Sequence, residues 1–482
     1  MARLVRKRGE SQDNAPSVKR AKSSGSTLAS RRASRLPAIN DFPKAKTEKL
    51  DLFVFGTGSM SELGLGPAAS TKEVKRPRLN PLLKKDEVGI VDFAVGGMHT
   101  LALDYKNQVW SWGGNDSGVL GRDTSQAQEQ LRDMDDEDDD DEDGDLNELE
   151  STPGLVEGLP DIQIVQLIAT DNLSGVLLEN GEVWAWGTFR CNEGLLGFLD
   201  SEGIQKTPRH IPGFVNIVQV ASGKDHIIGL DNKGIPYAWG NGQQFQLGRR
   251  ILERTRLQSL EPREFGLKKI KFVGSGEFHS FAISENGKVY SWGLNQYGQC
   301  GVPINIEDGA VIAKPTEIEE LTGKDVVYIT GGEHHTLALT KSGEVYVFGR
   351  YDMKEIGIKK EDLPEDAYKD ANGNTRAVPV PTKLTTLPRI KALTAGSHHS
   401  LAITESGVVY SWGFADTYAV GLGPVDDDVE TPTRIANTAT KEHDMKIVGA
   451  GGQFSVSGGV KLTSEEEIEK RLDEIEKFED SL

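Results

Sequence analysis

Histidines recur in this chain of 482 residues at one fixed distance from a later glycine. Each stands 14 residues before a glycine that follows an aromatic residue, and Leu173 takes the same place in one further copy. Histidine beside carboxylates is common in general acid–base catalysis and in metal sites. A catalytic histidine is needed in one active site, whereas these histidines recur in several copies. We therefore predict a structural role, in which each forms a hydrogen bond with the backbone at a turn. The recurring residues are His99, His226, His279, His335 and His399.

The two residues before each of these places differ from copy to copy. Positions that hold a repeat together must recur, whereas positions that touch a partner are free to vary. The variable pairs include four acids and two histidines, a set that suits a basic partner if the turns share one face. These side chains are Asp171, Asp225, Glu277, Glu333, His334 and His398.

The elements that must position these side chains are strands. Each closing glycine ends a run of β-branched and aromatic residues, such as Val289–Trp292 and Val409–Trp412, which is typical of a strand before a turn. Such runs occur seven times along the chain. The closing glycines are Gly56, Gly113, Gly187, Gly240, Gly293, Gly349 and Gly413.

The two ends of the repeat array complement each other. The last copy has no aromatic-glycine strand after Val460, whereas residues 50–56 form such a strand with no copy before it. Joining the two gives seven complete units and leaves no open sheet edge. The sequence therefore predicts an all-β fold, a seven-bladed β-propeller over residues 50–462 that is closed by an N-terminal strand.

Charge is distributed unevenly along the chain, whose net charge is −19. Residues 1–49 are predicted to be a disordered basic arm, and 131–152 an acidic loop inserted in the propeller. Residues 463–482 are predicted to form a short polar helix, capped by Thr463 with Glu466. The chain has two cysteines and no apolar stretch near the roughly 20 residues that span a bilayer, which argues against secreted and membrane-spanning classes.

Familiar ligand-binding motifs are missing from the sequence. It contains no Gly-x-x-x-x-Gly-Lys-Ser/Thr, no His-Glu-x-x-His and no paired Cys-x-x-Cys. We therefore expect no cofactor, no metal and no small-molecule substrate.

Two recurring stretches resemble the repeat of the regulator of chromosome condensation family. They are Gly-Gly-Glu-His-His-Thr-Leu-Ala-Leu at 331–339 and Val-Tyr-Ser-Trp-Gly at 289–293, with loops such as Gln246-Leu247-Gly248. The resemblance covers about residues 50–460. It implies a nuclear, chromatin-associated guanine nucleotide exchange factor for the small G protein Ran, which supports nucleocytoplasmic transport without covalent chemistry. A non-catalytic propeller scaffold, such as a ubiquitin-ligase or chromatin adaptor, is the alternative.

One loop departs from the common spacing. From the closing glycine to the next loop glycine is 8 residues in six units, but 10 from Gly187 to Gly197. The extra pair lies within 188–195 and is predicted to form a small hairpin. In the family the matching stretch is the wedge that enters the G protein near its phosphate-binding region. The resemblance gives contacts with the G protein to Phe189, Arg190, Asn192 and Glu193.

The resemblance also assigns roles on the variable face. It assigns turnover of the exchange reaction to Asp225 and His334, and binding of the G protein to Asp171 and Arg249. Glu277 and His398 join them as binding residues, because they occupy the same variable places. The sequence departs from the family at Ser59, where an aspartate is expected, and at Phe454, where a histidine is expected.

The basic arm carries its own expectations. Clustered Lys and Arg suit nuclear import by an importin and contacts with DNA phosphates that carry no sequence information. The resemblance adds a preference for nucleosomes and histones, and no membrane partner is expected. The arm residues assigned to import and DNA are Arg6, Lys7, Arg8, Lys19, Arg20 and Lys22.

Overall fold

A computed structural model describes residues 37–125, 146–199, 203–303 and 310–481. Within these ranges, 31 strands form seven sheets of four or five antiparallel strands and one separate two-stranded hairpin. The seven sheets are the blades of a propeller, so the predicted fold is confirmed. The arm residues up to 36, with the six basic residues assigned to import and DNA, and residues 131–145 of the predicted acidic loop lie outside the described ranges.

The blades run outward from a central channel with a cavity volume of about 310 Å³. β1 (Asp51–Thr57) and β2 (Glu73–Leu79) belong to blade 7, which the end of the chain completes. Blade 1 contains β3 (Ile90–Val95), β4 (His99–Asp104), β5 (Val109–Gly113) and β6 (Gly154–Leu155). Blade 2 contains β7 (Ile164–Ala169), β8 (Leu173–Leu178) and β9 (Val183–Gly187), then the hairpin of β10 (Phe189–Cys191) and β11 (Gly194–Gly197), and its outer strand β12 (Gln205–His210).

The remaining blades follow in chain order. Blade 3 contains β13 (Ile217–Ser222), β14 (His226–Asp231), β15 (Pro236–Gly240) and β16 (Arg263–Glu264). Blade 4 contains β17 (Ile270–Ser275), β18 (His279–Ser284), β19 (Val289–Leu294) and β20 (Val311–Glu317). Blade 5 contains β21 (Val326–Gly331), β22 (His335–Thr340), β23 (Val345–Arg350), β24 (Tyr368–Lys369) and β25 (Thr375–Lys383). Blade 6 contains β26 (Ile390–Ala395), β27 (His399–Thr404), β28 (Val409–Gly413) and β29 (Val429–Arg434), and β30 (His443–Ala450) and β31 (Phe454–Lys461) are the inner strands of blade 7.

Helices are few in the described ranges. A four-residue α-helix, Glu148–Ser151, begins at Asn147, whose side chain accepts from the backbone N–H groups of Leu149 and Glu150. Single turns of 3₁₀-helix occur in the loops between strands. These turns are Ala69–Thr71, Glu319–Leu321 and Lys360–Asp362, and a longer 3₁₀ segment, interrupted at Thr255, spans Glu253–Leu260.

The ring closes through the N-terminal strands. β1 pairs antiparallel with β31, where Leu52 lies opposite Gly458, and this confirms the predicted closing strand. The structure adds β2 as the outer strand of the same blade. Charged residues dominate β2, so its sequence, Glu-Val-Lys-Arg-Pro-Arg-Leu, lacks the alternation that marks the other strands.

Part of the predicted arm belongs to the folded body. The backbone N–H of Ile39 donates to the carbonyl of Asn232 at 2.8 Å, and the Asn40 amide donates to the Ile270 carbonyl at 2.9 Å. Lys46 forms an ion pair of 2.7 Å with Asp92. The boundary predicted at residue 49 is therefore too late, because residues 39–49 include a segment that bonds to blades 1, 3 and 4.

The recurring histidines join neighbouring blades. Each histidine Nε2 lies within hydrogen-bond distance of a Ser or Thr hydroxyl on the second strand of the next blade. The predicted structural role is thus confirmed, but the predicted backbone partner is wrong. The pairs are His99–Ser174 at 2.8 Å, His226–Ser280 at 2.7 Å, His279–Thr336 at 2.9 Å, His335–Ser400 at 2.9 Å and His399–Ser455 at 2.8 Å.

The second bond of the hydroxyl fixes the histidine tautomer. Ser280 Oγ donates to the carbonyl of Gln246 at 2.9 Å, and the same carbonyl accepts the indole N–H of Trp292 at 2.8 Å. Because a hydroxyl has a single proton to donate, His226 Nε2 must carry the proton of the bond between them. Burial lowers the pKa of this imidazole to about 3, so it is neutral.

Two blades lack this histidine, and their neighbours differ accordingly. Leu173 takes the histidine place in blade 2, and the facing hydroxyl position in blade 3 is Ile227, with both side chains buried in one apolar cluster. Phe454 takes the place in blade 7, and the buried hydroxyl of Thr100 in blade 1 has no hydrogen-bond partner within the described part of the chain. The histidine–hydroxyl hydrogen bond is therefore replaced by apolar packing between blades 2 and 3. Between blades 7 and 1 it is not formed, and the hydroxyl stays unpaired among the residues that the structure describes.

The C-terminal helix, Glu465–Glu479, packs against blades 6 and 7. Ser464 caps it by accepting from the backbone N–H of Glu467, so the cap lies one residue after the predicted Thr463. Arg471 is buried and donates to the carbonyl of His443 at 2.7 Å. The helix is thus a docked element and not only a polar tail.

The buried neutral histidines should make the protein sensitive to acid. Their pKa is about 6.5 in an unfolded chain and, for His399, about 3 after burial. Between these values the unfolded state binds more protons, so the free energy of unfolding falls as pH falls, by up to about 1.4 kcal/mol per pH unit for each histidine. Urea unfolding between pH 7 and pH 4.5 should show a shallower pH dependence for His399→Gln than for the parent, and equal slopes would contradict this prediction.

Candidate functional site

The variable pairs lie on one face of the propeller, as predicted. In blade 1 the histidine that starts β4 pairs with the glycine that ends β5, so the turn before β4 and the loop after β5 are at the same end of the blade. Neighbouring turns are bonded through their backbones, with Asp171 N–H donating to the carbonyl of Lys224 at 3.2 Å and Lys224 N–H to that of Glu277 at 3.0 Å. We call this surface the turn face. It comprises residues 97–98, 171–172, 224–225, 277–278, 333–334, 397–398 and 452–453.

A lysine pairs with two of the predicted acidic residues. Lys224 Nζ lies 3.3 Å from Asp171 and 3.2 Å from Glu277. Burial and the charge of Glu277 raise the pKa of Asp171 above its usual range, while Lys224 opposes this rise. Burial disfavours the ammonium of Lys224, but Glu277 and Asp171 outweigh it and raise the lysine pKa. A basic partner must therefore compete with Lys224 for these carboxylates.

The loop with the two-residue excess is a hairpin, as predicted. β10 and β11 pair as a separate two-stranded sheet, with Asn192 and Glu193 at its turn. Arg190, Asn192 and Glu193 are exposed on the hairpin and available to a partner.

Phe189 lies in the core at the start of β10. Its side chain is fully buried, and its ring meets that of Trp239 edge to face at 4.7 Å. In this conformation Phe189 anchors the hairpin in the core, and its contact with the G protein stays a prediction. This core position could not be predicted from the sequence, because the two inserted residues break the repeat spacing that identifies core positions in the other blades.

Asp225 supports the hairpin from blade 3. Its carboxylate accepts the backbone N–H of Arg190 at 2.8 Å and the side-chain amide of Asn172 at 3.2 Å. The residue is 8% exposed, and burial raises its pKa while the Arg190 N–H and Asn172 oppose the rise. Asn172 was missed as a site residue, although the variable pair Asp171-Asn172 contained the signal.

His334 and His398 flank one carboxylate. Arg350 Nη2 donates to His398 Nδ1 at 2.8 Å, so the proton of a neutral His398 resides on Nε2, which lies 3.5 Å from Glu333. The Gln299 amide lies 3.3 Å from His334 Nδ1, and His334 Nε2 is 3.7 Å from Glu333. Burial, with a contribution from Arg350, lowers the pKa of His334 to about 3 and also lowers that of His398.

Arg350 is a residue that the sequence reasoning missed. Its Nε donates to the fully buried carboxylate of Glu355 at 2.6 Å. Burial raises the pKa of Glu355 to about 7, and Arg350 opposes this rise. The signal was a charged residue directly after the closing Gly349, a position that is uncharged in the other blades. Arg350 thereby links the blade 5 loop to His398 on the turn face.

Arg249 is partly buried beside the turn face. In blade 1 the equivalent Arg122 donates to the hydroxyl of Ser111 at 3.2 Å, but Ala238 takes the place of that serine in blade 3. Arg249 Nε and Nη2 have no hydrogen-bond partner in the described ranges, and burial, with Arg263, lowers its pKa to about 10. Both of these donors are buried, whereas the residue as a whole is partly exposed.

Metal ligands are not grouped in the described part of the chain. Among those residues, no cluster of three or more His, Cys, Asp or Glu side chains is arranged to hold a metal ion. Hydrogen bonds and ion pairs between side chains connect the residues of the turn face.

Known proteins resemble this chain over most of its length. Residues 51–457 match the RCC1-like domain. Guanine nucleotide exchange factor SRM1 of Saccharomyces cerevisiae is 58% identical over 439 residues, which cover 89% of this chain and 91% of SRM1. Regulator of chromosome condensation of Homo sapiens is 31% identical over 447 residues, which cover 88% of this chain and 96% of the human protein.

Solved structures agree with this comparison. The crystal structure of Prp20p from Saccharomyces cerevisiae, described with its binding properties to Gsp1p and histones, has a TM-score of 0.83 and 55% identity, covering 90% of this chain and 97% of Prp20p. A crystal structure of Kap60 bound to yeast RCC1 (Prp20) has a TM-score of 0.83 and 52% identity, covering 99% of this chain and 100% of that one. The repeat, the closed seven-bladed ring and these matches show that the chain belongs to the regulator of chromosome condensation (RCC1) family.

Proposed function

We propose that this protein is a guanine nucleotide exchange factor for the small G protein Ran and accelerates GDP release for GTP loading. The observation that carries the proposal is the hairpin β10–β11, which adds exposed residues beside the turn face in blade 2. Support comes from SRM1, which is named a guanine nucleotide exchange factor, and from Prp20p, which was studied for its binding to Gsp1p. The reaction makes and breaks no covalent bond.

Exchange of this kind is a matter of differential binding. A factor that binds the nucleotide-free G protein more tightly than the loaded form weakens nucleotide binding by the same ratio. A 10⁵-fold effect requires about 7 kcal/mol of such difference. The hairpin supplies this difference in binding free energy by displacing the phosphate-binding region of the G protein. Asp171 and Glu277 receive basic side chains of the G protein and repel phosphates. Arg190, Asn192 and Glu193 make the hairpin contacts. Asp225 and His334 serve turnover, and Arg249 and His398 bind the G protein on the same face.

We also propose that the protein acts in the nucleus on chromatin. Its basic arm binds an importin and contacts DNA phosphates and histones. Support comes from the crystal structure of Kap60 bound to yeast RCC1 and from the histone binding studied for Prp20p. The arm residues assigned to these contacts are Arg6, Lys7, Arg8, Lys19, Arg20 and Lys22.

Changes on the turn face should slow exchange without unfolding the propeller. Arg190→Ala removes an exposed side chain from the hairpin, and His334→Ala removes a half-buried one beside Glu333. Each should lower the rate of fluorescent GDP release from Ran tenfold or more, equivalent to at least about 1.4 kcal/mol. The melting temperature of Arg190→Ala should remain near that of the parent, because exposed substitutions usually cost under about 0.5 kcal/mol.

The control for this assay is Arg78→Ala, which removes an exposed arginine from β2 on blade 7. Parental GDP release by both Arg190→Ala and His334→Ala would favour the scaffold alternative. A parent chain that does not accelerate GDP release from Ran at all would refute the proposed function.

The arm should act separately from exchange. Alanine at all six assigned arm positions should reduce nuclear accumulation and flatten the salt dependence of binding to DNA or nucleosomes, because fewer counterions are released. GDP release from Ran in solution should not change. A loss of that exchange activity would place the arm in the active surface and contradict this prediction.

A further inference from the structure

We propose that Asn241 and Gln243, in the blade 3 loop that follows β15, are positioning residues which hold the exchange hairpin of blade 2. The inference rests on the proposed function, because it concerns how the hairpin is made ready to act on the G protein. Neither residue needs to touch the partner. Both bind backbone groups of the hairpin, and Gln243 also binds the Glu193 side chain.

The first contact holds Arg190. The Asn241 amide donates to the Arg190 carbonyl at 3.0 Å, while the Asp225 carboxylate accepts the Arg190 N–H at 2.8 Å. Asn241 N–H in turn donates to the backbone carbonyl of Asp225 at 2.7 Å. Both backbone polar groups of Arg190 are therefore bound by blade 3, and the exposed guanidinium is left available to the partner.

The second contact holds the hairpin turn. Gln243 Oε1 accepts the backbone N–H of Asn192 at 2.9 Å, and Gln243 Nε2 donates to the Glu193 carboxylate at 2.9 Å. Gln243 N–H donates to Asn241 Oδ1 at 2.9 Å, so the two contacts form one connected unit. Arg256, on the 3₁₀ segment of the same loop, adds an ion pair of 3.5 Å with Glu193.

The hairpin needs such support. β10 and β11 pair with each other as a separate two-stranded sheet and not with the sheet of blade 2. A two-stranded hairpin alone is marginally stable in water. Fixing its direction before the partner arrives removes an entropy cost from the step in which it displaces the phosphate-binding region. Loss of the support should therefore reduce kcat, whereas the rest of the turn face preserves KM.

The chain offers a matched control in blade 4. Gln296 stands three residues after Gly293, as Gln243 stands three after Gly240, and in both loops the two bounding glycines are 8 positions apart. Gln296 is exposed, and its loop faces no inserted hairpin. Gln296→Ala therefore removes the same side chain from the same loop position without affecting the hairpin.

The test compares steady-state GDP release from Ran with amide hydrogen exchange of the full chain alone. Gln243→Ala and Asn241→Ala should each lower kcat at least fivefold, change KM for Ran less than about twofold, and speed amide exchange of residues 190–194. Gln296→Ala should leave all three quantities at parental values. Gln243→Glu combined with Glu193→Gln exchanges donor and acceptor across the contact and should restore slow amide exchange of 190–194.

The positioning role is overturned if Gln243→Ala keeps the parental kcat, or if its kcat falls while amide exchange of residues 190–194 is unchanged. Failure of the proposed function is distinguishable from either result. It would be seen in the parent chain as an absence of GDP release, whereas the amide-exchange measurement requires no G protein.

Discussion

The hydrogen bond between a buried histidine and the hydroxyl of the next blade is the constraint on which the functional face depends. Each histidine is the first residue of a second strand, so fixing its ring also fixes the turn before it. In His226 the ring donates to Ser280, whose hydroxyl donates to the Gln246 carbonyl, and that carbonyl also accepts from Trp292. One such chain joins a turn, the next blade and a loop, so a displaced blade would disturb the turns on both sides. The face is rigid because its supports lie between blades.

The residue just before the histidine place has a consistent neighbour, which is the loop that follows the third strand of the preceding blade. Asp225 holds the hairpin of blade 2, His334 lies beside Gln299 of blade 4, and His398 accepts from Arg350 of blade 5. In blade 2 itself, Asn172 accepts from Ser117 of blade 1. Variation at this place and variation in the preceding loop are therefore coupled. The hairpin in blade 2 and the aspartate in blade 3 that binds it therefore depend on each other.

The periodic features of the fold were predictable, because they repeat. The spacing of 14 residues between histidine and glycine predicted paired strands, and the incomplete last copy predicted closure by residues 50–56, which β1 confirms. β2 was not predictable, since a solvated outer strand of charged residues has no apolar alternation to detect. The separation of framework from variable positions also located the turn face.

Features of the site that occur in one blade and do not repeat could not be predicted from one sequence. Phe189 is buried because the hairpin packs it against Trp239 of blade 3, and Asp225 is buried beside the same hairpin. Burial of this kind follows from contacts between blades and not from a local pattern. The ion pair of Arg350 with Glu355 joins the last residue of β23 to the loop that follows it, and neither residue was in the variable pairs. Asn241 and Gln243 looked like ordinary loop residues, and their meaning depends on the hairpin that stands beside them.

The charges of the turn face set a condition on any partner. Asp171 and Glu277 share Lys224, so the free protein already compensates part of its own negative charge. Without Lys224, two partly buried carboxylates would repel each other, at a cost that neutral residues would avoid. With it, the ammonium offsets part of that repulsion while both carboxylates stay on the turn face for a basic partner. The partner then displaces an ammonium whose side chain is 34% exposed, which costs less free energy than assembling two buried charges at the moment of binding.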